Sequence, residues 1–527
     1  MTESTREIER KYEVPAAGDL PRLSRLTGAG TGWSLADGGR HDLDAVYYDT
    51  ADLRLLRASA TLRRREGGSD AGWHLKLPLG GDTREEIRAP LGTNDHGNPG
   101  DIPDALRDLV LSRTRGARLE PVLRLRTDRT VRELLDADGG LLAELTLDRV
   151  RADSLRGDRG HTSWTELEVE AVAEEPAATV LKRVEKALGK EGFTRSAAPS
   201  KAVRALNDTV PGALPAPQST PGTAGTPGTA GTPGTAGAHV LAYLTRQVRA
   251  IVDLDPAVRR GLPDSVHRMR VACRRLRSCL RSYRPLLDRA VTEPVRAELK
   301  WLGGELGAER DQEVLLERLR GGVDALPGEL VLGPVSARLQ MWDAARSAEA
   351  RDRTLTALSS PRYVTLLETL DRLTTHPPLR PKSARKPAEV LPGALRKEHD
   401  RLARRLERAL RTPTGPERDA ALHQARKGAK RVRYAAEAAR PALGGTAKRL
   451  GRHVKAVQQA LGDHHDSVVA RETLRRQAVA AHRAGEPGFT WGLLYGREQA
   501  GAADRERELP ELWRAAERGG GRRAKRS

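Results

Sequence analysis

The chain begins with a short segment in which charged and apolar side chains alternate. In the run Glu7-Ile8-Glu9-Arg10-Lys11, a β-strand would place Glu7, Glu9 and Lys11 on one face, because successive side chains of a strand point to opposite faces. Carboxylate oxygens are ligands for Mg²⁺, and an ammonium group binds phosphate oxygens. Taken alone, the pattern is more typical of the solvated face of a half-buried sheet. Its chemistry therefore depends on the neighbouring strands.

Other N-terminal segments also carry charge at alternate positions. The basic members are Arg63, Arg65, Lys76, Arg124 and Arg126, and the acidic members are Asp148, Glu166, Glu168 and Glu170. The acidic segments lie first and last with the basic ones between them, whereas a surface selected for solubility would mix the signs within each strand. Charge that faces the inside of a small barrel is costly unless a ligand matches it. We therefore expect an interior that binds metal ions through its carboxylates and a phosphate chain through its basic groups.

The elements that must position these residues are short strands. Turn residues such as GGSDAG, LGGDT and ADGG separate segments of period-two alternation, which predict an antiparallel sheet of about eight strands. The segments are EIERKYEV, LDAVYYDT, ATLRRRE, GWHLKLPL, REEIRAPL, PVLRLRTDR, LLAELTLDRV and SWTELEVEAV. Helical periodicity appears near 103–113, from about 176 to 191 and from 200. Residues 1–207 are therefore predicted to form an α+β domain around an eight-stranded antiparallel β-barrel.

The ordered set of these motifs resembles the CYTH superfamily, the triphosphate tunnel metalloenzymes, over essentially all of residues 1–207. After the ExExK strand come YYDT at 47–50, LRRR, the HLK strand, paired arginines, LDRV, ELEVE and a late SK. The resemblance implies a tunnel in which the triphosphate is held by Lys11, Arg63, Arg65, Lys76, Arg124, Arg126 and Lys201. It implies that Mg²⁺ or Mn²⁺ is held by Glu7, Glu9, Asp148, Glu168 and Glu170, with Glu7, Glu9 and Lys11 at the catalytic centre. Which two of Glu166, Glu168 and Glu170 ligate metal stays open.

Hydrolysis of inorganic triphosphate is the reaction that the resemblance favours. Metal ions in such a site orient the phosphate chain and activate a water for in-line attack, so no covalent nucleophile is needed. Family members also hydrolyse thiamine triphosphate, cap RNA ends or cyclise ATP. An adenine or thiamine site needs aromatic or apolar walls, and this part of the chain has few aromatics beyond Trp33, Tyr47, Tyr48, Trp73, Trp164 and Phe193. Thiamine triphosphatase, adenylate cyclase and a non-catalytic protein that captures phosphate chain ends remain alternatives.

A Pro/Gly/Thr-rich segment divides the chain. Residues 208–238 include three copies of TPGTAG and have little to bury, so they are predicted to be a flexible tether. From 239 to 515, long segments of 3.6-residue period rich in Leu, Ala and Arg predict an all-α helical bundle. The basic residues 516–527 are predicted to be a disordered tail.

The helical part repeats itself. VHRMRVACRRLRSCLRSYRP (266–285) aligns without gaps to LHQARKGAKRVRYAAEAARP (422–441), and KWLGGELGAERD (300–311) matches KAVQQALGDHHD (455–466). We therefore expect two related helical units about a pseudo-twofold axis. One histidine and three basic residues recur at the same spacing, as His267, Arg270, Arg274 and Arg277 and as His423, Arg426, Lys430 and Arg433. A stripe of like charges is most easily tolerated when an anion neutralises it.

These repeats resemble the CHAD domain over about residues 239–515, through VHRMRVACRRLRS, LGAERD, LHQARKGAKRVRY and LGDHHD. The resemblance implies a helical module that binds inorganic polyphosphate, with contacts from His267, Arg270, Arg274, Arg277, His423, Arg426, Lys427, Lys430 and Arg433. Nucleic acid is the less favoured partner, because Tyr283 and Tyr434 are almost the only aromatics in the stripes that might stack on bases.

The LGDHHD motif could suggest a metal site, but adjacent helical residues point about 100° apart, so His464 and His465 cannot chelate as a unit. Asp311 and Asp466 are expected to be helix caps or partners of the basic stripes.

Composition agrees with a polyanionic partner. The formal net charge is +20 and the sequence pI is about 10.3. The cysteines, Cys273 and Cys279, lie six apart on a predicted helix and cannot readily pair with each other, which fits a reducing compartment. No segment reads as a signal peptide or membrane span. We expect a cytoplasmic protein without a membrane partner, and association with polyphosphate granules is one consequence of the predicted ligand.

Overall fold

The computed structural model describes residues 3–15, 21, 23, 26–27, 32–92, 101–157, 160–172, 174–210, 212, 214 and 234–520. The chain divides into two compact units, residues 1–222 and 223–527. Most of the predicted tether lies outside the described residues. Its last residues, from Ala236 onward, are described, and they belong to the first helix of the second unit instead of the tether. The predicted tail is described as far as Gly520, where the last helix ends.

The first unit is a closed antiparallel barrel. Its strands are β1 (Glu3–Glu13), β2 (Ser34–Asp49), β3 (Thr61–Glu66), β4 (Gly72–Gly80), β5 (Thr83–Ala89), β6 (Glu120–Leu135), β7 (Leu141–Ser154) and β8 (His161–Ala171), with a short β9 (Thr194–Arg195) beside β1. The order is β5-β4-β3-β2-β6-β7-β8-β1, and pairing of β1 with β5 closes the ring. The predicted eight-stranded barrel and its strand segments are confirmed.

Alternation along the strands separates an apolar outside from a charged inside. The outward residues Leu145, Leu147, Leu167 and Val169 of β7 and β8 belong to one buried cluster with α3 (Glu174–Lys190). On the opposite side, Leu62 and Leu75 pack in a cluster with α2 (Asp104–Thr114) and the short α1 (Arg54–Arg57). Because these helices cover the apolar faces of β3, β4, β7 and β8, the polar residues of those strands are left on the inner face.

The helix α4 (Lys201–Thr209) fills one end of the barrel. Its buried residues Ala202, Ala205 and Leu206 pack in one cluster with Leu123, Leu125, Val150 and Ala152 of β6 and β7. These strand residues share a face with the inward residues further along the same strands. The interior is therefore apolar and closed at the α4 end, and its charged part lies beyond.

The second unit is helical throughout its described length. Its helices are α5 (Ala236–Arg259), α6 (Ser265–Ser282), α7 (Arg289–Asp324), α8 (Val335–Ser359), α9 (Pro361–Thr375), α10 (Pro387–Arg411), α11 (Pro416–Leu443), α12 (Gly445–Arg483) and α13 (Phe489–Gly520). One large core involves α5, α6, α10 and α11, and a second smaller core joins the far ends of α7 and α12 to α8 and α13. Both cysteines are free and buried. No helix in the described ranges is long and apolar enough to span a bilayer.

The two predicted repeats have matching contacts. In the first, Arg270 of α6 lies over Gly307 of α7, where an added Cβ would come within 3.3–3.6 Å of its guanidinium. In the second, Arg426 of α11 lies over Gly462 of α12, at 3.8 Å from the corresponding Cβ position. The two glycines are equivalent in the sequence alignment of the repeats. In both repeats an arginine therefore crosses the neighbouring helix at a glycine, more tightly at Gly307 than at Gly462.

Leu206 tests the closure of the barrel by α4. Its side chain is fully buried among β6 and β7 residues, so Leu206→Ala should cost about 2–5 kcal/mol and increase amide hydrogen exchange in the β6 and β7 peptides. The control is Leu79→Ala, since Leu79 is 54% exposed and its removal should change stability by less than about 0.5 kcal/mol. Equal exchange in the two variants would contradict the closure.

Candidate functional site

The charged part of the barrel interior is a cavity of about 410 Å³. Its basic lining consists of Arg6, Lys11, Arg63, Arg65, Lys76, Arg84, Arg88, Arg129 and Lys201. Its acidic lining consists of Glu7, Glu9, Asp70, Glu86, Glu144, Glu168 and Glu170. Every strand except β9 supplies at least one lining residue, and α4 supplies Lys201. Val172, which is 55% exposed, lies at the rim away from α4.

The first strand places its three predicted catalytic residues in this cavity. Glu7, Glu9 and Lys11 all line it, while Ile8 packs against the outer cluster. Lys11 forms an ion pair with Glu168 and lies 3.3 Å from a Glu9 oxygen. Glu7 accepts a hydrogen bond from Lys76, which also lies 3.8 Å from Glu9. Acidic and basic groups of three strands, β1, β4 and β8, therefore interleave at one point.

Two of the cavity glutamates are held in unfavourable surroundings. Burial raises the pKa of Glu7 to about 7, and the nearby Glu170 and Glu86 carboxylates add to the rise although Lys76 opposes it. Burial also raises the pKa of Glu170, with Glu9 and Glu168 adding to it. No basic nitrogen among the described residues lies within ion-pair distance of the Glu170 carboxylate. This cluster is short of positive charge.

Glu9 behaves differently although it lies between them. Burial acts to raise its pKa, but the charges of Lys11, Lys76 and Arg84 outweigh burial and lower the pKa to about 2. Glu9 is therefore ionised at neutral pH, beside two carboxylates that resist ionisation. A hard cation with oxygen ligands fits this donor set, since it would supply the positive charge that Glu170 lacks and would favour ionisation of Glu7.

Lys201 lies at the α4 end of the cavity, and Asp148 lies behind it. The fully buried Asp148 accepts hydrogen bonds from Arg129 at 2.7 and 2.8 Å and lies 2.9 Å from the Lys201 ammonium. Glu166 lies 3.0 Å from the same ammonium. Burial opposes ionisation of Asp148, but Lys201 and Arg129 lower its pKa. Asp148 therefore holds the Arg129 and Lys201 side chains in place and does not line the cavity, which does not fit its predicted role as a metal ligand.

The predicted basic residues of β3 and β4 do line the cavity. Arg63 donates to the Tyr47 hydroxyl at 3.2 Å, and Arg65 is paired with Asp70. Burial and the neighbouring Arg63 charge lower the pKa of Arg65 to about 9. Arg63 also lies 3.7 Å from a Glu86 oxygen, so the two guanidinium groups are held side by side on the cavity wall, where they could bind an anion together.

The predicted placement of Arg124 and Arg126 in the tunnel is wrong. Arg124 is 43% exposed and paired with Asp44, and Arg126 is 53% exposed and 3.3 Å from Asp153. Both lie on the outer face of β6, because Leu123 and Leu125 are the inward residues at the end that α4 fills. The basic residue of β6 that reaches the cavity is Arg129, four residues beyond Leu125 on the same face.

Several cavity residues were not anticipated from the sequence. The strand β5 contributes Arg84, Glu86 and Arg88 at alternate positions, and this alternation was present in the segment REEIRAPL. Glu86 is almost fully buried and accepts from His74 at 3.0 Å, while its other oxygen is held by Arg88. Glu86 therefore fixes residues of two strands on the cavity wall. The other ring nitrogen of His74 lies 2.9 Å from the Asp70 carbonyl oxygen.

The helical unit contains a second charged cavity, of about 410 Å³, with a different character. Its basic lining comes from α6, α7, α10 and α11 and comprises Arg274, Arg277, Arg281, Arg296, Lys300, Arg405, Lys427, Lys430 and Arg431. The only acidic side chain among its described lining residues is Glu293, which is paired with Arg296. We call it the basic cavity. It is strongly electropositive, unlike the mixed cavity of the barrel.

The structure divides the predicted basic stripes in two. Arg274, Arg277, Lys427 and Lys430 line the basic cavity, and Arg433 lies 5.0 Å from the Tyr434 ring outside it. The remaining members, His267, Arg270, His423 and Arg426, do not line it. Arg270 is paired with Asp311 at 2.6 Å and Arg426 with Asp466 at 3.3 Å. These aspartates are partners of the stripes, as one alternative predicted, and not caps, because both lie inside long helices.

The adjacent histidines of α12 point to different neighbours, as predicted. His465 packs against His423 with the two rings tilted, and their Nδ1 atoms lie 3.1 Å apart. His464 lies 2.9 Å from Glu506 and 3.4 Å from Asp419, a group whose spacing could suit a metal ion. Arg418 and Arg471 already pair with these two carboxylates, so the network is balanced in charge without a cation.

Comparison with known proteins identifies both units. A CYTH domain model matches residues 5–206 and a CHAD domain model matches residues 242–475. An uncharacterized protein of Mycobacterium tuberculosis is 37% identical over 517 residues, covering 96% of this chain and 95% of that protein. Human thiamine-triphosphatase is 38% identical over 78 residues, 15% of this chain and 29% of that protein. The solved CHAD domain of Ricinus communis has a TM-score of 0.43 at 25% identity, covering 56% of this chain and 97% of that one.

The crowding of Glu7, Glu9 and Glu170 predicts a stability change in metal-free protein. Glu170→Gln removes a carboxylate whose charge is unfavourable beside two others, so it should stabilise the protein by up to about 1 kcal/mol in EDTA. Glu120→Gln, at an exposed position of β6, is the control and should change little. Urea unfolding of the three proteins measures the difference. A Glu170→Gln protein less stable than wild type would show that this carboxylate is not under repulsion.

Proposed function

Because the chain belongs to the proteins that join a CYTH domain to a CHAD domain, we propose that its first unit hydrolyses inorganic triphosphate with a divalent metal ion. The observation that carries the proposal is the barrel cavity, in which a carboxylate cluster short of positive charge faces a surplus of arginine and lysine. Such a pairing matches a ligand that brings metal cations and phosphate anions together.

The phosphate chain is bound by groups that are already positioned. Arg63, Arg65 and Lys76 come from neighbouring strands, while Arg129 and Lys201 are fixed from behind by Asp148. Each charge-assisted hydrogen bond to phosphate contributes roughly 1.5–3 kcal/mol when it is shielded from water. Prior orientation reduces the entropy lost on binding, so these residues hold the chain in line for attack at its terminal phosphorus.

The carboxylates that would hold the metal are Glu7, Glu9 and Glu170, with Glu168 beside them. A divalent cation at this cluster neutralises phosphate charge and lowers the pKa of a bound water. Glu9 is ionised at neutral pH and supplies the first anionic ligand. Glu7, whose pKa is about 7, is available as a ligand once it loses its proton. Lys11, between Glu9 and Glu168, orients both carboxylates.

The choice of inorganic triphosphate rests on the walls of the cavity. Tyr47 is the one aromatic among its described lining residues, and its hydroxyl is engaged by Arg63. A thiamine or adenine ring would have little to stack on there. The end filled by α4 also prevents a longer chain from passing through. Both features favour a short phosphate chain without an organic group.

The first experiment is a substrate panel assayed with Mg²⁺, Mn²⁺ and EDTA. Inorganic triphosphate should be hydrolysed fastest, thiamine triphosphate and ATP at least about tenfold more slowly, and EDTA should abolish release of phosphate. Glu9→Gln should lose at least about 100-fold in kcat/KM. Binding of triphosphate without turnover would instead favour a capture protein, and cyclic AMP from ATP would favour a cyclase.

A pair of arginines on one strand provides an internal control for the cavity. Arg129→Ala should lower kcat/KM for triphosphate by about 10- to 150-fold, because it removes a phosphate contact worth roughly 1.5–3 kcal/mol. Arg126→Ala, on the outer face of β6, should stay within about twofold of wild type. Similar losses in the two variants would contradict the assignment of the inner face. Circular dichroism of both proteins checks that folding is unchanged.

A second function concerns the helical unit, which we propose binds inorganic polyphosphate in the basic cavity. Arg277, Arg281, Lys300, Lys427 and Lys430 have no carboxylate within ion-pair distance among the described residues. Burial and the neighbouring Arg296 and Arg274 charges lower the pKa of Arg277. An empty cavity of this kind is electrostatically unfavourable, and a flexible chain of phosphates would relieve it.

Nucleic acid is a weaker candidate for the same cavity. Single-stranded nucleic acid is usually bound by aromatic platforms together with basic groups. The two tyrosines of the stripes, Tyr283 and Tyr434, are buried, and their hydroxyls bond the Ala435 carbonyl oxygen and Arg274. They are thus not available to bases. A linear phosphate chain needs no such platform.

Charge reversal in the cavity tests polyphosphate binding. Arg281→Glu should weaken binding at least about tenfold at moderate salt, because it replaces an attraction by a repulsion inside the cavity. Arg268→Glu, on an exposed turn of the same helix, changes the net charge equally and should have a small effect. Fluorescence titration with labelled polyphosphate measures both. RNA that competes equally at the same phosphate concentration would favour the nucleic-acid alternative.

A further inference from the structure

Lys430 occupies an unusual position in the basic cavity. It is half-buried on α11, and the charged groups around it are mostly positive: Arg270 and Arg274 on α6 and Arg426 on its own helix. The acidic group that acts on it is Asp466 of α12, and that carboxylate is paired with Arg426. No carboxylate among the described residues lies within ion-pair distance of its ammonium group.

The remaining surroundings do not add a counter-charge. His465 of α12 lies near Lys430, but its imidazole is packed against His423, and burial lowers the pKa of both rings to about 4. The other sides of the cavity carry Lys300 on α7 and Arg405 on α10. An ammonium group in such a place is destabilised both by loss of water and by like charge.

From this geometry we infer that polyphosphate binding in the basic cavity is coupled to uptake of a proton by Lys430, so that the site binds more tightly as the solution becomes more acidic. The inference rests on the proposed function of the helical unit. In the empty cavity the neutral amine of Lys430 avoids the repulsion of its neighbours. When phosphate groups enter, they screen those neighbours and attract the ammonium form.

The direction of the effect follows from the titration of the lysine. Burial and the charges of Arg274 and Arg426 lower its pKa to about 7 in the empty protein. Bound phosphate raises this pKa, so a proton is taken up between the free and the bound pKa values. Above pH 7, affinity therefore falls as pH rises. Below pH 7, Lys430 is already charged in the free protein and adds no further dependence.

Calorimetry at pH 8.0 tests this coupling in the full chain. Titrations with long-chain inorganic polyphosphate are run in two buffers of different ionisation enthalpy, Tris and HEPES. The difference in apparent binding enthalpy gives the number of protons taken up. We expect an uptake that approaches about one proton per occupied cavity for wild type, and an affinity that falls severalfold from pH 7 to pH 9.

Lys430→Arg is the decisive variant, because arginine keeps the charge at every accessible pH and cannot take up a proton. It should bind polyphosphate at least as tightly as wild type at pH 8.0 and lose the uptake. Lys427→Arg is the matched control, since Lys427 lines the same cavity on the same helix but is exposed, and it should keep the uptake. Lys430→Met should bind more weakly and also lose it.

Two negative results have different meanings. If wild type and Lys430→Arg bind polyphosphate with the same proton uptake, the coupling through Lys430 is wrong and the proposed binding function stands. If neither protein binds polyphosphate while both remain folded, the proposed function of the helical unit fails, and the coupling fails with it.

Discussion

Charge enclosed in low-dielectric surroundings is the constraint on which this protein is organised. Closing the ring between β1 and β5 commits one face of every strand to an interior that water cannot fully hydrate. The enclosed charges are stabilised by interleaving, as in the arrangement of Asp148 between Arg129 and Lys201. Where interleaving is incomplete, at Glu7 and Glu170, the carboxylates resist ionisation. The incomplete places are the ones at which a ligand has most to contribute.

The two units meet this constraint in opposite ways. The barrel encloses charges of both signs, so many of its charged groups neutralise one another. Only the charge that remains depends on a ligand. The basic cavity encloses almost one sign alone, and its neutralisation has to come from outside the chain or from loss of a proton. A mixed interior suits a ligand that combines metal cations with phosphate, whereas a single-sign cavity suits a bare polyanion.

The barrel could be predicted from sequence because strand periodicity is local. Alternation identified all eight strands, and for β1, β3, β4 and β8 the charged face is the inner one. On β6 the same rule failed at Arg124 and Arg126. The inward residues there, Leu123 and Leu125, are apolar because α4 packs on them, and a helix distant in sequence leaves no trace in the local pattern. Arg129 and Glu86 line the cavity because of the register between neighbouring strands and the closure of the barrel. Both are defined only once the sheet is assembled.

In the helical unit, sequence comparison of the repeats found the correct helices but not the division of their charges. In the alignment, Arg270 and Arg426 are basic members of the stripes just as Arg274 and Lys430 are. In the structure, however, Arg270 and Arg426 are each paired with an aspartate of the next helix. Such pairing depends on how α6 packs against α7 and how α11 packs against α12. At each of these crossings the arginine lies over a glycine of the neighbouring helix. Helical spacing predicts which face of its helix a residue occupies. It does not predict which residue of a neighbouring helix pairs with it.

The closed end formed by α4 also bears on kinetics. A passage open at both ends lets a product leave ahead of the next substrate, whereas a blind pocket exchanges everything through one mouth. If the first unit hydrolyses triphosphate as proposed, its phosphate products leave past the same arginine side chains that hold the substrate. Product retention would then compete directly with substrate entry, and release of product is a candidate for the slow step of the cycle.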